Sequence, residues 1–147
     1  MAQSENKEKK PLSRREERQQ ALDLVFERLF RDDSADQVFE DAVDARDTEI
    51  SDYAKLVVRG VEEHINEIDA IIEENLRGWK KNRISKISLT ILRIAVFEML
   101  FVKDVPVSVS INEAVELAKN YAAAADASFV NGVLGSAAKK LGKSGDK

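Results

Sequence analysis

The chain has 147 residues, no cysteine and a formal net charge of −4. A chain of this length forms one compact domain, buries roughly 70% of the surface its unfolded form exposes and needs no covalent staple. The missing cysteines exclude disulfides, thiolate metal sites and a cysteine nucleophile, and no apolar run approaches the ~20 residues of a membrane span. Residues 1–10 are charged and hold no apolar segment, so they do not read as a signal peptide. A soluble, cytoplasmic protein is expected.

Proline occurs twice (Pro11 and Pro106) and glycine six times. Apolar residues recur at helical spacing throughout, which predicts an all-α fold of about seven helices. Residues 1–12 are expected to form a disordered basic arm, 13–141 one helical domain and 142–147 a frayed tail.

Ser13-Arg14-Arg15-Glu16 has the form of a capping box and starts helix 1, over about 14–30, with Leu22, Val25, Phe26 and Leu29 as its inner stripe. Helix 2, about 35–43, carries Val38, Phe39 and Ala42. Thr48 is the expected cap of helix 3, whose inner face runs from Ile50 and Tyr53 through Val57, Val58 and Val61 to Ile65. Asn66 is the expected cap of helix 4, and Gly78 its end. Helix 5, about 83–103, is apolar on more than one face, as a helix buried at the centre must be. Pro106 forces an extended connection. Ser110-Ile111-Asn112-Glu113 is a second capping-box pattern, which starts helix 6 near Ser110. Asp126 or Ser128 caps helix 7, which runs to about 141.

Charge is unevenly placed. Residues 27–74 hold 16 acids against 5 bases, while residues 77–86 hold 5 bases and no acid. Residues 7–18 hold 6 bases against 3 acids. The local field steers a charged ligand more than the sum does. On a helical wheel that advances ~100° per residue, Arg14, Arg15 and Arg18 fall within ~100° of one another, on the upstream continuation of the core stripe. Glu16 and Glu17 fall outside that arc. A solvent-open groove lined by guanidinium groups is one outcome, suited to phosphate. Pairing of these arginines with acids from the middle segment is the other.

No enzyme signature stands out. His64 is the only histidine and sits beside Glu62 and Glu63, whereas a metal or nucleophilic site needs several convergent groups. Gly132 and Gly135 lack the strand and the Gly-Lys-Ser/Thr run of a phosphate loop. No catalytic residue, metal or cofactor is expected.

Several segments together carry a resemblance. They are Arg14-Arg15 with Ala21-Leu22 and Phe26, Trp79 and Arg83, the run Ile91-Leu92-Arg93-Ile94-Ala95-Val96-Phe97-Glu98, the segment from Pro106 to Lys119, and Phe129-Val130-Asn131-Gly132-Val133-Leu134. In order and spacing they resemble the NusB family of bacterial transcription antitermination factors. The resemblance implies two small helical bundles sharing helix 5. It also implies binding of single-stranded boxA RNA from ribosomal RNA operon leaders, together with NusE, a small-subunit ribosomal protein, within the transcription elongation complex. By position it places Arg14, Arg15 and Arg18 at the RNA, with Lys10 extending them and Phe26 on the same helix. It places Asp126, Ser128 and Phe129 at a second part of the RNA surface, and Arg93, Phe97 and Glu98 near NusE. Relatives occur as monomers and homodimers, so a homodimer stays open.

The chain departs from the family pattern at three points. Phe26 stands where a tyrosine is frequent, the Ala122–Ala125 run is less polar than in relatives, and Gly135 replaces a frequent acid. Two rival readings are a helical protein-binding adaptor and the detached NusB-like domain of a ribosomal-RNA cytosine methyltransferase. The second lacks a Rossmann-type segment here. Within the motifs, Ile111, Ala114, Val115 and Ala118 read as core. Asn112 and Glu113 read as caps of helix 6, Gly132 as a close-packing point and Trp79 as an anchor between the bundles.

Overall fold

The computed structural model describes residues 11–46, 49–79 and 83–142. Lys10, Thr48, Lys80 and Lys81 lie outside the described residues, as do most of the expected arm and tail. Among the described residues there are seven α-helices and no strand: α1 (Arg14–Glu27), α2 (Ala35–Arg46), α3 (Asp52–Glu63), α4 (Ile65–Glu74), α5 (Lys86–Phe101), α6 (Val107–Tyr121) and α7 (Ala124–Lys140). A 3₁₀ turn, Arg28–Phe30, closes α1.

Helices α1, α3 and α5 start at serine caps. Ser13 Oγ accepts from the Glu16 N–H at 3.1 Å, and the Glu16 carboxylate accepts from the Ser13 N–H at 2.8 Å, so the expected capping box forms. Such a cap contributes about 1 kcal/mol. Ser51 caps α3 and Ser85 caps α5 in the same way. Three expected helix boundaries are corrected. Asn66 does not cap α4, which begins one residue earlier with His64 at its cap position. Gly78 does not end α4; Asn75 does, and the left-handed turn after it takes Arg77 (φ 52°) and Gly78 (φ 91°). Helix α6 begins at Val107, with Pro106 as its N-cap. Ser110 and Glu113 therefore lie inside the helix. Proline at a helix start costs nothing, because its missing N–H has no partner there anyway.

Helix α5 is the hub. It packs against α1, α3, α4, α6 and α7. Ile91, Leu92, Ile94, Ala95, Val96, Phe97 and Met99 are all buried on it, which is why its apolar residues cover more than one face. Helices α1 and α3 pair on one side of it, and α6 and α7 pair on another. Two bundles sharing a central helix are consistent with this packing. Gly60 on α3 permits the closest approach: a Cβ there would lie 2.0 Å from Cε1 of Phe97. Gly132 needs no such account, since nothing lies within 4 Å of where its Cβ would be. The expected close-packing role of Gly132 is thus corrected. Trp79 is corrected too: at 60% exposure it is no buried anchor.

Candidate nucleic-acid interface

The capped start of α1 brings three arginines to one edge of the molecule, each held differently. Arg18 is buried. Its Nε donates to Oε2 of Glu98 at 2.8 Å. The same carboxylate oxygen accepts from the Tyr53 hydroxyl, and Oε1 accepts from Ser110 Oγ at 2.9 Å. One carboxylate therefore joins α1, α3, α5 and α6. The Glu98 charge and burial push the Tyr53 hydroxyl well above its ordinary pKa, burial being the larger cause.

Arg14 lies over that tyrosine, its Cζ 3.6 Å from the ring centroid. An arginine in this position gains from the negative face of the ring. Its Nη1 also lies 3.6 Å from Glu17. Arg15 is clamped by Glu113 of α6, with Nε to Oε1 at 2.9 Å and Nη2 to Oε2 at 2.8 Å. That hydrogen bond holds the Glu113 carboxyl below the usual Glu range.

The acids thus come neither from the middle segment nor from the flanking turn alone. Glu98 and Glu113, on helices far along the chain, balance Arg18 and Arg15. The wheel placed Arg18 on the core face, and there it is; it lines no solvent-open groove.

A second cluster forms where the α4–α5 connection meets α7. Trp79 contacts Phe129 edge to face, ring centroids 5.0 Å apart. With Arg77, Ser128, Asn131 and Lys139 they line a shallow cleft of about 630 Å³. Ser128 is exposed and Phe129 half-buried. Arg77 reaches Ser136 Oγ at 3.3 Å, and Ser136 donates to Asn75 Oδ1 at 2.6 Å, which fixes the floor. Asp126 accepts from the Ala123 N–H at 3.0 Å. It lies three residues inside α7 and acts at the helix start without being the N-cap residue itself.

The remaining expected residues are not brought together. Phe26 lies twelve residues beyond Arg14, about 18 Å along α1, and packs edge to face on Phe30. Arg93 is held by Asp69 of α4 through two bonds of 2.8 Å. Phe97 is buried under Gly60 and lines a cleft of about 560 Å³ with Leu56, His64 and Phe101. His64 stacks on Phe101 there at 4.1 Å. Glu98 turns inward to Arg18. So Arg93, Phe97 and Glu98 face three different ways.

Tyr53 and Glu113 were missed as functional candidates. Both carried a signal: Tyr53 was the one hydroxyl-bearing residue on the inner stripe of helix 3, and Glu113 is one of two acids, with Glu116, in the Pro106 to Lys119 motif.

The family model for the NusB family matches residues 15–139. The chain belongs to the NusB family. The transcription antitermination protein NusB of Clostridium novyi is 42% identical over 132 residues, covering 87% of this chain and 99% of that protein. The NusB of Clostridium acetobutylicum is 44% identical over 126 residues, covering 84% and 93%. Among solved structures, T. maritima NusB superposes with a TM-score of 0.77 at 34% identity, over 89% of this chain and 94% of that one. A chain from a crystal structure of the antitermination factors NusB and NusE in complex with dsRNA gives 0.76 at 29% identity, over 86% and 96%. The helical order and the arginine edge therefore sit in a NusB-family frame along most of the chain. Among the described residues no helix is long and apolar enough to cross a membrane, and no group of three or more His, Asp or Glu side chains is placed to hold a metal.

Proposed function

We propose that this chain is a cytoplasmic, non-catalytic antitermination factor. In this reading it binds the single-stranded boxA element of ribosomal RNA leaders jointly with NusE, within the elongation complex. The observation that carries the reading is the edge at the start of α1, where Arg14 and Arg15 remain exposed although each is held in place. Fixed guanidinium groups suit phosphate. Lys10 would extend the same edge. Ser128 and Phe129, with Asp126 at the helix start, would meet bases, since unpaired bases stack on aromatic rings.

The relatives named above support the reading, and so does the neighbouring structure that joins NusB with NusE and RNA. That RNA is double-stranded, so the strand preference of this chain is itself under test. Arg18 enters the proposal as the residue that anchors the edge. The NusE side is assigned to the Phe97 cleft, where the exposed Leu56 and Phe101 flank His64. Arg93 and Glu98 do not line that cleft, being held by Asp69 and Arg18. Pairing of two copies over the same edge would mask the RNA surface.

The decisive experiment titrates the protein with boxA, scrambled single-stranded and double-stranded RNA, with and without NusE. Preference for boxA that NusE strengthens is the expected result. Equal binding of all RNAs in both conditions, with NusE still bound, would make the chain a protein-binding adaptor instead.

A further inference from the structure

We propose that Tyr53 and Glu113 are positioning residues of the RNA surface, holding Arg14 and Arg15 so that their free guanidinium N–H groups face a phosphate. The inference rests on the RNA-binding reading above. An exposed arginine samples many rotamers, and a ligand must order them on binding; a side chain already held in place saves that cost.

Each partner leaves donors unused. The Arg14 guanidinium carbon sits over the Tyr53 ring, 3.6 Å from its centroid, and a ring face offers no oxygen to take up the guanidinium N–H groups. The ring cannot drift, because its hydroxyl is tied to Glu98, and Glu98 to Arg18 and Ser110. Glu113 takes one edge of Arg15, through Nε and Nη2. Nη1 and the second hydrogen of Nη2 stay outside this clamp. The Arg15 side chain is 58% exposed and that of Glu113 only 17%, so the guanidinium lies over the carboxylate and looks outward.

A competing role, in which Glu113 must be displaced by phosphate, fits the geometry poorly. Displacement would leave a mostly covered carboxylate with only Arg18 Nη1, at 3.9 Å, for a partner. Nor does α6 need Glu113 as a cap, since Pro106 starts that helix seven residues earlier.

The test compares wild type with Glu113→Ala, Glu113→Gln, Tyr53→Phe and Tyr53→Leu. It measures affinity for one single-stranded boxA RNA at several salt concentrations, with thermal unfolding run alongside. Glu113→Ala should weaken binding by about fivefold and lower the salt slope by about 0.7, one phosphate contact on a single strand. Glu113→Gln keeps the shape and one acceptor and should fall between, and it carries the test if the alanine variant unfolds. Tyr53→Phe keeps the ring but cuts its tie to Glu98, so it should lose part of the affinity, and Tyr53→Leu should lose more. In an Arg15→Ala background, Glu113→Ala should add nothing. Tighter binding with a steeper slope for the Glu113 variants would make Glu113 a competitor and overturn the proposal. Wild-type affinity in both Glu113 variants, or equal losses with and without Arg15, would overturn it as well while leaving the RNA reading intact. A wild type that binds no RNA defeats the reading and the inference together.

Discussion

Arg18 on α1 and Glu98 on α5 form an ion pair sealed inside the fold, with Nε and Oε2 2.8 Å apart and side-chain exposures of 5% and 1%. Tyr53 and Ser110 donate to the same carboxylate. Moving two charges out of water costs several kcal/mol per ion, and only close, fully hydrogen-bonded geometry offsets it. Here both Glu98 oxygens are bonded and four helices meet on one group. The pair fixes how the arginine-bearing end of α1 sits on the central helix.

Removing one partner leaves the other charged and uncompensated. Glu98→Ala should therefore destabilise the fold by about 3–5 kcal/mol. Replacing both residues by apolar side chains of similar volume, as in Arg18→Met with Glu98→Leu, should cost much less. Urea unfolding followed by circular dichroism measures both. A loss under about 1 kcal/mol for Glu98→Ala would show that the pair is not held in solution.

Gly60→Ala places a methyl group inside the Phe97 ring position. The ring must move, and overpacking of this kind costs about 1–3 kcal/mol. Thermal unfolding should show the loss, and Phe97→Leu in the same chain should restore part of it. Gly132→Ala, with open space around it, should not destabilise.

The Arg15 hydrogen bond lowers the Glu113 pKa in the folded state. A depressed carboxyl pKa stabilises the fold above the unfolded value, and that stability fades as pH falls through the folded pKa. The clamp is thus complete at neutral pH and lost in acid, below the ordinary Glu range. A carbon-detected NMR titration should place the Glu113 midpoint below that range in wild type, and Arg15→Ala should raise it. An unchanged midpoint in the variant would remove Arg15 as the cause.

The double variant Arg14→Ala/Arg15→Ala should weaken all single-stranded RNAs alike, because phosphate contacts carry no sequence information. Its salt slope should fall by about 1.4, two contacts' worth on a single strand. Filter binding across a salt series tests it. An unchanged affinity would remove this edge from the RNA surface.

Trp79 is the only tryptophan and contacts Phe129. Its emission reports directly on the second cluster. RNA that reaches Ser128 and Phe129 should quench it, and Phe129→Ala should reduce the quench along with the affinity. Binding with constant emission would confine the RNA to the α1 edge.

Much of the fold was legible because helices declare themselves locally. Apolar spacing marked all seven, Ser13 and Glu16 marked a capping box, and the apolar girth of α5 marked the centre. The misplaced starts share one pattern: each helix begins upstream of the residue that has the letters of a cap. Ser110-x-x-Glu113 has the letters of a cap, but Pro106 already starts α6, which frees both side chains for Glu98 and Arg15. Asn66 has a capping side chain, yet α4 begins at Ile65, so it lies inside the helix.

By itself the sequence determined the family, the helical class and the arginine face at the start of α1, since periodicity and motif order depend only on neighbours along the chain. The tertiary structure alone decided which arginine is buried and which is presented. Glu98 lies 80 residues from Arg18, and Glu113 lies 98 from Arg15. No local pattern spans such separations; only packing α1 and α6 onto α5 brings those charges within hydrogen-bond reach.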